Sequence, residues 1–115
     1  MQILHVASEI FPLVKTGGLA DVVAALPPAL AKRGLDARVL LPGLPGIMAG
    51  MTALKPVTTI GPVFGAAVVR LLLGRLPDSG LSAYVIEAPF LYRRDGNPYV
   101  GPDGNDWVDN HRRFA

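Results

Sequence analysis

Within residues 2–41, two strand-length apolar runs flank one helix-length amphipathic run. That order leaves few ways to fold. Residues 2–7 are nearly continuous in apolar character, a pattern that suits a strand buried on both faces of a parallel sheet. Residues 19–33 place Leu19, Val22, Val23, Leu26, Ala29 and Leu30 at the i, i+3, i+4, i+7 spacing of a helix face. Lys32 and Arg33 suit the end of that helix, and Gly34 suits the position just past it. Residues 36–41 form a second apolar strand, stopped by Pro42. A right-handed β-α-β crossover joining parallel strands is the natural packing. Pro27 and Pro28 predict a kink in the helix, or a break near Leu26.

The first strand-to-helix connection holds the chemistry. Lys15, Thr16, Gly17 and Gly18 precede Leu19, Ala20, Asp21 and Val22. Adjacent glycines open backbone conformations closed to other residues. Their amides can converge on an anion beside the positive end of the helix dipole. Lys15 adds a mobile full charge. This pattern predicts a diphosphate cradle, and a plain tight turn is the alternative. The usual nucleotide signatures G-x-G-x-x-G and G-x-x-x-x-G-K-[ST] do not occur. Glu9 falls where strand ends face ligands in open α/β sheets, as a chemical group or as a structural carboxylate for the loop. Asp21 lies in the first helical turn, where it complements the dipole or orients Lys15 or a sugar hydroxyl. His5 reads as a near-core histidine with a satisfied ring.

The rest of the chain changes pattern. Residues 42–51 are rich in Pro and Gly and predict an irregular loop with a short helical turn, its Leu44, Ile47 and Met48 packed on the domain. Residues 57–60, 66–73 and 81–88 predict strands, and the turn signal at 76–80 makes the last two an antiparallel hairpin inserted in the α/β order. Glu87 ends that last strand. Residues 92–106 form a polar loop, where Tyr99 and the nearby Trp107 either stack on a sugar or pin the loop to the core. A helix begins near 108–115, with Asp106 or Asp109 as its N-cap.

Composition narrows the function classes. Half of the 115 residues are hydrophobic and 17% are charged, which places the chain among globular proteins. A net charge of +2 without a basic run argues against nucleic acid or an anionic membrane as partner. The pairs Arg93-Arg94 and Arg112-Arg113 read as solvated faces. No cysteine is present and there are only 2 histidines, so neither a disulfide framework nor a thiolate or histidine metal site is expected. No signal peptide or membrane-length apolar run is found, and a cytoplasmic location is the expectation.

The residues from Lys15 to Val22, with Ser8, Glu9 and Pro12 before them, closely resemble the start of bacterial glycogen synthases and plant starch synthases. The likeness continues in the same order through residues 36–42, 88–92, 97–99, Asp109-Asn110 and Arg113-Phe114, so it covers essentially the whole chain. The resemblance implies a GT-B glycosyltransferase, with two Rossmann-like domains facing a cleft. Residues 1–115 would be an incomplete N-terminal part of the catalytic domain, without the C-terminal Rossmann half. It implies retaining transfer of glucose from ADP-glucose, or UDP-glucose in some members, to the 4-OH end of an α-1,4-glucan. By the resemblance, Lys15 contacts the donor phosphates, Gly17 and Gly18 let the backbone approach, and Tyr99 faces the substrate cleft. Thr16, Asp21 and Glu9 are further matched positions. The main catalytic residues would lie outside these 115 residues, which alone are expected not to turn over. Because a cation and aligned N–H groups can stabilise the leaving diphosphate, no metal or other cofactor is expected. A non-catalytic module that binds a sugar nucleotide or a glucan is the alternative.

Overall fold

A computed structural model describes residues 1–115. Its centre is one five-stranded sheet in the order β1 (Gln2–Val6), β2 (Asp36–Pro42), β5 (Ser82–Glu87), β4 (Val69–Arg75), β3 (Thr52–Ile60). β1, β2 and β5 run parallel, with Ile3 opposite Ala37 and Val39 opposite Ala83. β4 runs antiparallel to both β3 and β5. Residues 76–81 make the tight return into β5, closed by the Gly80 N–H to Leu76 O at 2.9 Å. β5 therefore belongs both to the parallel set and to the antiparallel meander. Pro56 is tolerated in β3 because that strand is an edge strand with register shifts on either side of it.

α1 (Gly18–Ala31) is the crossover between β1 and β2 and packs on β2. It runs unbroken through Pro27 and Pro28, so the expected break near Leu26 does not occur. Its end agrees with the sequence: Gly34 takes φ +85°, and its N–H reaches Ala31 O at 3.0 Å. The buried face of α1 differs from the expected one. Ala20, Val23 and Pro27 are buried against the sheet, whereas Leu19, Val22 and Leu26 are 44–56% exposed. The helix is apolar on two sides, and periodicity alone does not say which side meets the sheet. The sheet takes the side with the smaller residues, which permit a close approach.

The core lies on the α1 side of the sheet, where Ala37, Val39, Leu41, Ala83 and Val85 are all 3% exposed or less. On the opposite face Leu4 is 51% exposed and Val6 72%. The expectation of a β1 buried on both faces is thus not met. β1 is an edge strand bonded only to β2, and one of its faces is open. The ring of His5 is not satisfied either, because its Nε2 is buried without a hydrogen-bond partner.

α2 (Pro45–Gly50) is the short helical turn in the Pro/Gly-rich stretch. It buries Leu44 and Ile47, and Met48 packs against the same core. Gly46 has a steric purpose. A Cβ there would lie 2.7 Å from Leu13 O, so only glycine lets α2 press its backbone against the segment leading to Lys15. α3 (Pro89–Tyr92) and α4 (Asn110–Arg113) are single turns that flank the polar loop.

Candidate functional site

The carboxyl ends of the parallel strands present residues 7–17, the start of α2 and the loop around residues 94–98. This is the side on which open α/β sheets bind ligands. The connection after β1 is folded back on itself. Ile10 and Val14 exchange backbone hydrogen bonds at 2.9 and 3.0 Å, and Phe11 N–H reaches Ala20 O at 3.1 Å. Residue 15 is thereby delivered to the first turn of α1.

Glu9 is the centre of the arrangement. Its side chain is 1% exposed. Oε2 accepts the Thr16 hydroxyl at 2.6 Å and the Tyr99 hydroxyl at 2.9 Å, and Oε1 accepts the Gly17 N–H at 3.3 Å. Since Tyr99 spends its proton on Glu9, the 2.6 Å contact between Tyr99 and Ser8 is donated by Ser8. Burial pushes the Glu9 carboxyl up, but the bonds from Thr16, Tyr99 and the Thr16 and Gly17 amides outweigh it and hold the group below the usual carboxylate range. An ionised, enclosed and saturated carboxylate is a poor general acid or base. It has no surface to offer a ligand, and what it does is fix the groups that donate to it. The Tyr99 phenol is raised by its own burial and by the Glu9 charge, although the Ser8 bond works the other way.

Lys15 sits outside this cluster. Its Nζ lies 2.8 and 2.9 Å from the two Asp21 carboxylate oxygens and 5.5 Å from the centre of the Phe11 ring. The pair is half exposed, at 44% and 52%. Asp21 stands in the first turn of α1 and pairs with Lys15. An exposed pair of this kind is worth about 0–1 kcal/mol. The bonds of Lys15 are therefore easily exchanged for those of an incoming anion.

Gly17 is the N-cap residue of α1, and no side chain caps that helix. Neither Gly17 nor Gly18 takes a positive φ, so the left-handed freedom argued from the sequence is not used here. A Cβ on either residue would meet nothing within 4 Å, which leaves open space over the helix N-terminus. A hollow of about 330 Å³ adjoins it, lined by Lys15, Thr16, Gly46, Asp95 and Asn97 among others. A second hollow of about 550 Å³, mostly apolar, is lined by Ser8, Leu19, Tyr99 and Phe114 on the other side of the Glu9 cluster.

The seven residues singled out from the sequence thus come together in one place. Thr16, Gly17 and Tyr99 form a base around the buried Glu9 carboxylate, and Lys15, Gly18 and Asp21 form an exposed rim. Glu87 is engaged by Arg70 on the neighbouring strand and takes no part. Trp107 pins the loop: the Arg94 guanidinium lies 4.8 Å from the centre of its ring and that of Arg113 5.8 Å.

The two arginine pairs correct the sequence reading. Arg94 makes a bidentate pair with Asp109 at 2.6 Å on each branch, and Arg113 is 1% exposed. Only Arg93 and Arg112 are on the surface. Asp109 stands at the N-cap position of α4, as expected, but its carboxylate, held below its ordinary value by Arg94, serves the ion pair and makes no capping hydrogen bond. Arg113 and Gly46 were missed from the sequence. Pro-Gly marks only a turn in sequence, and nothing local distinguishes Arg113 from Arg112. The structure contains no cluster of three or more His, Cys, Asp or Glu that could hold a metal ion, and no helix long and apolar enough to cross a membrane.

Taken together, these elements form an α/β domain that carries a half-exposed lysine and a helix N-terminus without a side-chain cap at the carboxyl ends of its parallel strands. Residues 2–115 match the family described as starch synthase catalytic domain, and the chain belongs to that family. It is 54% identical over 112 residues to a glycogen synthase of Rhodopseudomonas palustris, covering 97% of this chain and 22% of the relative. It is 51% identical over 116 residues to a glycogen synthase of Paramagnetospirillum magneticum and 46% identical over 115 residues to one of Francisella philomiragia, covering 100% of this chain and 24% of each relative. Among solved structures it matches the catalytic domain of starch synthase IV from Arabidopsis thaliana bound to ADP and acarbose. That match has a TM-score of 0.69 and 27% identity, and covers 96% of this chain and 22% of that one. The chain therefore spans about a quarter or less of the length of these relatives, and its fold is that of part of a GT-B glycosyltransferase.

Proposed function

We propose that the intact protein transfers glucose from ADP-glucose to the non-reducing 4-OH end of an α-1,4-glucan with retention of configuration, and that residues 1–115 contribute the loop that receives the donor diphosphate. The reading rests on one observation above the rest. In a member of the starch synthase family, a half-free lysine and an uncapped helix N-terminus stand together at the carboxyl ends of parallel strands. The ADP in the related starch synthase structure supports adenine as the donor base.

As the glycosidic bond to the diphosphate breaks, negative charge gathers on the leaving oxygen. Lys15 exchanges Asp21 for that charge, while the free N–H groups of the first turn of α1, from Gly18 on, receive it; the Gly17 N–H stays on Glu9. Groups fixed in advance stabilise the developing charge more than the ground state. Thr16 and Gly17 are held by Glu9 and so need no rearrangement. Tyr99 lines the second hollow. We assign residues 1–115 to the front of the catalytic domain. The groups that act on the anomeric carbon, and the second Rossmann half, belong to the remainder of the longer protein.

The test is ADP release from ADP-glucose with glycogen as acceptor. The intact protein is expected to release ADP, and residues 1–115 alone are not. Lys15→Gln in the intact protein should lower kcat/KM for the donor about tenfold to a hundredfold, the worth of a charge-assisted contact, and leave the KM for glycogen within about twofold. Equal losses for donor and acceptor would reject the phosphate role. No release by the intact protein would reject the transferase.

A further inference from the structure

Arg113 is the largest fully buried side chain in the molecule, and no carboxylate touches it. Its Nε donates to Leu91 O at 2.7 Å, and its Nη1 donates to Pro98 O at 2.7 Å and to Asn110 Oδ1 at 2.8 Å. The Tyr92 hydroxyl donates to Arg113 O at 2.6 Å. Asp109, the nearby acid, is already taken by Arg94. Burying an unpaired guanidinium is costly, and burial together with the Arg94 charge disfavours its protonated form. A leucine or methionine would fill the space without that cost. What an apolar residue cannot do is hold three acceptors from three segments in one plane.

Two of the three acceptors bear on Tyr99, and the residue after Arg113 packs on its ring. Pro98 is its neighbour in the chain. Asn110 donates from Nδ2 to Tyr99 O at 2.8 Å. The ring of Phe114, next to Arg113, lies 5.5 Å from the Tyr99 ring. Tyr99 in turn meets Glu9, and Glu9 holds Thr16 and Gly17. We propose that Arg113 is a positioning residue for the Lys15 loop: by gathering the Leu91, Pro98 and Asn110 oxygens it sets the Tyr99 hydroxyl on Glu9, and Glu9 sets the Gly17 amide at the mouth of α1. For its catalytic consequence this inference rests on the donor-phosphate reading, but the coupling itself does not.

The coupling is tested without ligand, by amide hydrogen exchange at Gly17 in the intact protein. Gly17 is far from Arg113 in sequence and does not touch it. Tyr99→Phe removes one oxygen and leaves the ring in place. It should speed exchange at Gly17 about tenfold, the worth of a bond to a charged group. Arg113→Lys should do the same, and the double variant should exceed neither single variant, because both break one chain of contacts. Trp107 is the only tryptophan of residues 1–115; the component of the intact protein's fluorescence that Trp107→Phe removes should shift with Arg113→Lys and not with Tyr99→Phe. If Arg113→Lys does not fold, Asn110→Ala replaces it in the same cycle with the same expectation. Additive effects, or a Gly17 amide indifferent to Arg113 and Asn110, would overturn the proposal. Intact wild-type protein that fails to bind ADP would overturn the donor reading and leave this coupling standing.

Discussion

The base and the rim of the Lys15 loop are built on opposite principles. At the base, an enclosed carboxylate takes three hydrogen bonds from Thr16, Tyr99 and Gly17. At the rim, an equally charged carboxylate, Asp21, faces solvent and holds one lysine. The difference is burial. In a low-dielectric site each bond to a charge is strong, and each missing bond is costly. At the surface, water competes and the pair is nearly free to part. A site that must accept and release an anion needs both: a mount that does not move and a cation that is not committed.

The largest test of this contrast is thermodynamic. Glu9→Ala leaves the donors of Thr16, Tyr99 and Gly17 facing a buried void and should cost about 3 kcal/mol. Lys15→Ala removes only the exposed pair and should cost less than about 1 kcal/mol. Urea denaturation of each variant measures both values. Similar costs would mean that base and rim are one structure, and the contrast would be lost.

A smaller and more selective test uses pH. The Glu9 carboxyl is held below its ordinary value in the folded chain, so on acidification the unfolded chain takes up that proton first. The linked stability is fully present above the ordinary carboxylate range and is lost as pH falls through the folded value. Asp103 and Asp109 are also held low and contribute in the same direction. The contribution of Glu9 is therefore the difference between wild type and Glu9→Gln. That difference should shrink as pH is lowered from about 6 to about 3. A constant difference would show that Glu9 carries no charge-dependent stabilisation.

The base and rim were not equally legible in the sequence. The β-α-β unit, its parallel strands and Gly34 at the helix end follow from local periodicity and turn chemistry, which act within a few residues. Lys15, Gly17, Gly18 and Asp21 are contiguous and could be read as one loop. Tyr99 reaches Glu9 across 90 positions, and only the resemblance placed it at the cleft. Arg113 was misread as a surface charge because burial of one arginine beside another depends on which side of a single helical turn meets the core. The faces of α1 and β1 were misjudged for a related reason. Apolar patterning shows that a surface wants burial but not what buries it. Leu4, Val6, Leu19 and Val22 remain open in this chain.

The smallest expected effect lies at Asp21, and it decides which side of the contrast that residue belongs to. Asp21→Asn removes the Lys15 partner and a carboxylate at the positive end of α1, each worth less than about 1 kcal/mol at the surface, so stability should change little. For an arriving diphosphate the change removes a negative charge beside the site and frees Lys15. ADP should then bind up to about threefold tighter at low ionic strength, and the gain should fade in salt as the Debye length shortens. Titration calorimetry of the intact protein at two salt concentrations measures it. Weaker binding that is insensitive to salt would show that Asp21 aims Lys15 through the two bonds from its Nζ, and would move Asp21 from the rim to the mount.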